Sequence, residues 1–118
     1  MQKSYSGFEQ GDIIVADILY SRQVGVKRRP VLVISNARHN KHSANVIVLS
    51  VSSTEIKTPY DVPLTNKDLV KGELRLESKI LVDFPTTLEK TLLTQKIGKI
   101  SEQKIREVKQ KLKELYEL

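Results

Sequence analysis

The chain has 118 residues, 39% apolar and 5% aromatic, with no Trp and no Cys, and a formal net charge of +6 from 20 basic and 14 acidic side chains. One domain over residues 1–118 is expected, with a core of Val, Ile and Leu; the lack of cysteine excludes a disulfide scaffold, thiolate catalysis and a Cys-based metal site. No stretch is apolar enough for long enough to span a bilayer, and MQKSYSGFEQGD lacks the apolar run of a secretion signal, so a cytoplasmic address is expected.

In chain order, Gly11-Asp12 is a turn-like start for IIVADIL, an apolar and β-branched run predicted as a strand ending at Tyr20. A polar loop containing Gly25 follows. Pro30 begins VLVIS and Asn45 begins VIVLSV, two near-continuous Val/Ile/Leu runs of strand length, which predicts strands covered on both faces. The polar stretch from Asn36 to Ala44 reads as a loop. Tyr60 to Leu64, after Pro59, is a fourth predicted strand, and Asn66 to Lys71 a helical turn closed by Gly72. From Ser78 to Phe84, Ile80 and Val82 alternate with Leu81 and Asp83 in a strand that Pro85 stops or confines to an edge. Between Thr86 and Gly98, a helical turn near Leu88 to Leu92 and a short strand near Ile97 are predicted. Ser101 is an N-cap with Glu102 in the first turn, where negative charge is favoured. Ile105, Val108, Leu112 and Leu115 then recur at three- and four-residue spacing, which predicts an amphipathic helix docked on the sheet or on a neighbouring subunit. The sum is a mainly β domain with a C-terminal helix.

Charge is unevenly placed on this frame. Between Asp17 and Glu55 there is no acidic residue, while Arg22, Lys27, Arg28, Arg29, Arg38 and Lys41 fall there together with His39 and His42. Setting those six Lys and Arg aside leaves 14 basic against 14 acidic residues, so one segment carries the whole imbalance. Concentrated positive charge attracts polyanions, and a phosphate backbone is the commonest of these. The alternative is a pair of solvated basic loops.

Arg29 stands out because Pro30 follows it. Proline biases its predecessor toward extended backbone, which anchors the guanidinium at the mouth of a strand, where it can grip a phosphate through paired hydrogen bonds. Its other reading is an arginine capping a strand end against a carboxylate. Ser50, Ser52, Ser53 and Thr54 cluster at the exit of the VIVLSV strand, as phosphate donors or as ordinary turn formers. If the two strands are antiparallel neighbours, about 5 Å apart, Arg29 and a serine can share one phosphate. His39 and His42 fit acid/base work near pH 7 or plain solvent and phosphate contact, and no acidic or Cys ligands accompany them for a metal. Asp83, the lone acid of its strand, either orients an arginine such as Arg29 or faces water.

The order Gly11-Asp12 into an apolar strand, Arg29-Pro30 with VLVIS and Asn36, and Asn45 with VIVLSVSST resembles the MazF/PemK toxins of bacterial type II toxin–antitoxin systems. YDVPL, ESKILVD ending at Asp83, Thr86-Thr87-Leu88 and QKIGKIS before the last helix extend the resemblance from about Gly11 to the C-terminus. The resemblance implies an SH3-like small β barrel with short added helices and a homodimer. It also implies metal-independent cleavage of single-stranded RNA, often mRNA, without a cofactor and restrained by a cognate antitoxin. In the family, the Arg of the Arg-Pro pair and a Thr at the end of the next long strand serve at the scissile phosphate. Arg29 matches the first and Ser52 the second, with Ser53 one residue away. In some members an Arg and an Asp of a later strand also act: Asp83 matches the Asp, and Leu81 stands where the Arg would be. The loop after the first strand reads SRQVGVKRR in place of a Gly-Ser-Glu-Gln pattern.

The expected chemistry is attack of a ribose 2′-hydroxyl on its own phosphate, giving 2′,3′-cyclic phosphate and 5′-hydroxyl ends. Arg29 is the principal donor, Ser52 or Ser53 holds a phosphoryl oxygen, and Arg22, Lys27, Arg28, Arg38, His39, Lys41 and His42 bind flanking RNA. An acidic antitoxin segment would fit the same basic groove. Two other classes are carried beside it: a toxin similar to CcdB, which binds DNA gyrase on the same architecture without nuclease activity, and a passive RNA-binding module.

Overall fold

A computed structural model describes residues 7–21, 25–54 and 58–118, the side chains of residues 19–21 excepted. Among these residues seven antiparallel strands form one sheet: β1 (Asp12–Ser21), β2 (Gly25–Val33), β3 (Asn45–Ser52), β4 (Asp61–Leu64), β5 (Leu69–Gly72), β6 (Ser78–Glu89) and β7 (Leu93–Ile100). Their order is β4-β6-β3-β2-β1-β7-β5. Two α-helices, α1 (Ala37–His42) and α2 (Glu102–Tyr116), complete the framework with short 3₁₀ turns at Asn66–Asp68 and Lys90–Leu92. The mainly β class and the C-terminal helix are as the sequence predicts. The barrel is not closed, because the terminal strands β4 and β5 do not pair with each other.

Alternation along the central strands builds two cores. Ile13, Leu32, Leu49, Val51, Val62 and Ile80 point to one face and pack with Val108 of α2, while Ile14, Ala16, Val31, Val33, Val46 and Val48 point to the other with Phe8 and Leu88. Burial on both faces is why these strands read as unbroken Val/Ile/Leu runs and not as alternating ones. α2 is capped by Ser101, whose hydroxyl accepts the Lys104 amide at 3.1 Å. Ile105, Leu112 and Leu115 lie against the first core, so the apolar stripe docks on the chain's own sheet. Lys104 ties the helix to β4 through the Pro63 carbonyl at 3.1 Å and pairs within the helix with Glu107 at 2.8 Å.

Several boundaries differ from the sequence reading for reasons of pairing. β2 begins at Gly25, five residues before Pro30, because β1 pairs with it along the whole hairpin. The predicted loop after Asn36 contains α1, capped by the Asn36 side chain accepting the His39 amide at 2.9 Å. Pro85 does not end β6. A bulge between the Leu81 and Pro85 pairings absorbs the missing N–H, and the strand runs on to Glu89. The predicted turn near Leu88 to Leu92 is therefore strand followed by a 3₁₀ turn, and β7 is a full strand against β1. After Asp68 the chain likewise enters β5 instead of continuing a helical turn. Gly72 closes β5 with φ +77°, at a point where a Cβ would lie 2.0 Å from the Ile97 carbonyl.

Asp12 pins the start of β1. It accepts the Glu9 amide at 2.9 Å and pairs with Lys96 at 3.2 Å and Lys99 at 3.5 Å, and Lys99 also holds Glu9 at 2.7 Å. The Lys99 hydrogen bond and charge keep the Glu9 carboxyl below its ordinary 4.5. Burial works against the Lys99 charge, but Glu9 and Asp12 outweigh it and raise its pKa. The Glu9 contribution is thus present above about pH 4.5 and lost as pH falls through the depressed folded value. Glu9→Gln is expected to lower stability at pH 7 by less than about 1 kcal/mol, since Glu9 is exposed. Thermal unfolding should show the deficit at pH 7 and none near pH 3; a deficit independent of pH would contradict the pairing.

Candidate nucleic-acid interface

Arg29 lies inside β2 and not at its mouth, half-buried and paired across to Ala16 of β1. The neighbouring cations divide by strand alternation. Arg28 is opposite Asp17, and its Nε donates to that carboxylate at 3.3 Å; Lys27 is opposite Ile18 and exposed. Lys27 and Arg29 therefore share one face while Arg28 occupies the reverse. Arg22 lies outside the described residues.

β2 and β3 are antiparallel neighbours, with Val31 opposite Ser50, Leu32 opposite Leu49 and Val33 opposite Val48. Pairing ends beside Pro30, which has no N–H to give. Carried two residues beyond the last pair, this register brings Arg29 level with Ser52, and residues opposed in this way present their side chains on one face. Ser52 is half-buried. Its hydroxyl accepts the Thr54 amide at 3.2 Å and lies 3.0 Å from the Thr54 hydroxyl, so it ends the strand in a turn on the face that Arg29 shares. Ser53 and Thr54 are exposed beyond the strand end.

β6 adds a third strand to this row. Ser52 is opposite Lys79, Ser50 is opposite half-buried Leu81, and Lys79 is in turn opposite Pro63 of β4. Lys79 is 2% exposed, and its Nζ sits 3.7 Å from Asp61 Oδ2. Sequence reading passed over this lysine; the available signal was a cation two residues before Leu81 in an otherwise apolar strand. Asp83 is exposed within the bulge that follows Leu81.

The remaining cations are elsewhere. Arg38, His39, Lys41 and His42 are all exposed on α1, beyond the opposite end of β2. From Arg29 to Val33 alone is four residues, roughly 13 Å at strand spacing. The basic segment thus makes two clusters, one at each end of β2–β3, and the histidines do not join Arg29 at one phosphate. α1 is held down by Asn40, a residue sequence reading did not single out. Asn40 is 1% exposed, donates to the Phe8 and Ser35 carbonyls at 3.2 and 2.9 Å, and accepts from the Ser35 hydroxyl at 2.5 Å. Among the described residues no three His, Asp or Glu side chains gather to hold a metal ion, and no helix is long and apolar enough to cross a membrane.

A family model described as the PemK-like, MazF-like toxin of type II toxin–antitoxin systems matches residues 9–116. Among solved structures, an endoribonuclease from a mycobacterial species in complex with its cognate antitoxin is similar over 95% of this chain and 97% of its own, at 21% identity and a TM-score of 0.78. The MazE–MazF structure (Form-III) from Deinococcus radiodurans is similar over 94% and 97%, at 22% identity and 0.76. Mycobacterium tuberculosis toxin MazF-mt6 is similar over 91% and 97%, at 20% identity and 0.75. At these identities the likeness is one of fold.

Proposed function

The chain belongs to the PemK-like, MazF-like toxin family of type II toxin–antitoxin systems, and on that premise we propose that it is an endoribonuclease cleaving single-stranded RNA at a phosphate held by Arg29 and Ser52. The supporting observation is the antiparallel β2–β3 register, which, carried two residues past its last pair, brings the Arg29 guanidinium and the strand-end Ser52 hydroxyl to one face. The ribose 2′-oxygen attacks its own phosphorus, the P–O5′ bond breaks, the 2′-hydroxyl proton passes to solvent and the leaving oxygen takes one up. The ends are 2′,3′-cyclic phosphate and 5′-hydroxyl. Charge grows on the phosphoryl oxygens as the bond forms, and Arg29 is the donor aimed at it. Ser52 holds one of those oxygens, with Ser53 and Asp83 at the periphery. Lys27, with Arg22, binds the adjoining backbone on that face, while Arg28 is held to Asp17 on the reverse one. Arg38, His39, Lys41 and His42 of α1 take flanking phosphates farther along, which adds salt dependence.

The reaction uses no metal or cofactor in this scheme, so purified protein should cleave RNA in excess chelator and leave a 2′-deoxy analogue intact. Loss of cleavage in chelator, or cutting of the deoxy strand, would remove the scheme. The gyrase-binding alternative has no observation in its favour, and RNA left whole after long incubation would return the protein to a passive RNA-binding role. We further infer a homodimer in the cytoplasm, with an acidic antitoxin segment lying over the Arg29 face. Two of the similar solved structures are named as complexes with an antitoxin or with MazE. Competition between antitoxin peptide and RNA would support this, and simultaneous binding of both would refute it.

A further inference from the structure

Lys79 is where burial and bonding disagree among the described residues. Among the described residues its Nζ is the buried side-chain nitrogen or oxygen without a hydrogen-bond partner. Asp61 stands 3.7 Å away, which is an ion pair but beyond hydrogen-bond length. Both oxygens of that carboxylate already accept from Thr58, Oδ2 from its amide and Oδ1 from its hydroxyl, each at 3.2 Å. Three N–H donors on a buried ammonium therefore go unspent.

Stability does not account for this. A charge removed from water without hydrogen bonds is costly, and apolar side chains commonly replace buried ion pairs with no loss of stability or with a gain. Position offers a reason. Strand order places Asp61 on β4, Lys79 on β6, Ser52 on β3 and Arg29 on β2, and Lys79 is directly opposite Ser52. From Arg29 to Lys79 is two strand spacings, about 10 Å between backbones, a gap that two long cationic side chains can close around one phosphate. The ammonium is a compact charge on a flexible four-carbon stem, able to swing between Asp61 and an incoming anion.

We propose that Lys79 is a further phosphate-binding residue, held in reserve by Asp61 and donating to the phosphodiester that Arg29 and Ser52 grip. The inference rests on the RNA reading above and deepens it. Asp61 acts as a placeholder, near enough to pair with the lysine but too far to accept a hydrogen bond from it, and the phosphate supplies that acceptor.

The test uses the full chain with Lys79→Met, which keeps the stem and deletes the charge. The unfolding temperature should be unchanged or higher, while kcat/KM on single-stranded RNA falls by roughly tenfold or more, below the effect of a principal donor. Binding of a 2′-deoxy oligonucleotide should lose about 0.7 from the slope of log affinity against log salt, the contribution of one phosphate contact on a single strand. A purely structural lysine would not move that slope. If folded Lys79→Met cleaves with unchanged rate and slope while Arg29→Ala loses cleavage, Lys79 is not part of the site and the RNA reading survives. If the unaltered protein does not cleave RNA, both fall together. Should Lys79→Met fail to fold, the ¹⁵N signal of the Lys79 ammonium in the unaltered protein decides. It shifts on adding the 2′-deoxy oligonucleotide if the proposal holds, and an unmoved signal at saturation overturns it.

Discussion

Arg29→Ala is expected to slow cleavage of single-stranded RNA by roughly 10²–10³-fold, the usual effect of deleting one donor aimed at a developing oxyanion. The loss should fall mainly on kcat, because in the proposed scheme the charge that Arg29 meets grows between ground state and transition state. Arg29→Lys should recover only part of the rate: an ammonium keeps the charge but loses the planar fork that holds two phosphoryl oxygens at once. Arg29 is half-buried and has partners within the fold, so thermal unfolding belongs beside the kinetics. A variant that melts as the parent does and has lost cleavage supports the assignment. One that cleaves at the parental rate ends it, and the shared face with Ser52 would then be a coincidence of strand register.

Asn40→Ala carries the largest expected effect on stability. The side chain bridges three elements: it donates to Phe8 ahead of β1 and to Ser35 after β2, and it sits within α1. Ser35 passes the tie onward, since its hydroxyl accepts the Ile47 amide of β3 at 2.9 Å. Truncation leaves two carbonyls and a hydroxyl without their partner in a site that is almost wholly buried. At about 1–3 kcal/mol for an unsatisfied buried group, partly offset by water entering the gap, the sum is roughly 2–4 kcal/mol. That corresponds to a fall of about 10 °C or more in unfolding temperature for a domain of this size. RNA affinity should weaken as well, because Arg38, His39, Lys41 and His42 ride on the same helix. A change below about 0.5 kcal/mol would mean that the helix is held by something other than Asn40.

The sequence was a good guide where the relevant pattern repeats locally. Val/Ile/Leu runs marked the central strands, and the three- and four-residue spacing of Ile105, Val108, Leu112 and Leu115 marked α2, because those periods follow from single-element geometry. It was a poor guide where pairing overrides local preference. Pro85 looked like a terminator, yet a bulge carries β6 past it. Polar residues after Asn36 looked like a loop, yet a cap and one buried amide make them a helix. The Thr86 to Gly98 stretch has weak propensity of any kind, and β1 imposes strand on its second half.

For the site the division is similar. Composition and order alone determined that the excess of positive charge falls in one segment, that Arg29 is extended by the proline after it, and that a serine ends the next long strand. Only the folded sheet decided which of these meet. Alternation turned Arg28 toward Asp17 and away from Arg29, α1 carried the histidines to the far end, and antiparallel register set Ser52 opposite Lys79 in a row that the β2 register extends to Arg29. Chain-local signals are written within a few residues by sterics and periodicity. Register between β2, β3 and β6 joins residues about twenty to fifty apart, and it is chosen by the joint burial of two cores, which no short window of sequence contains.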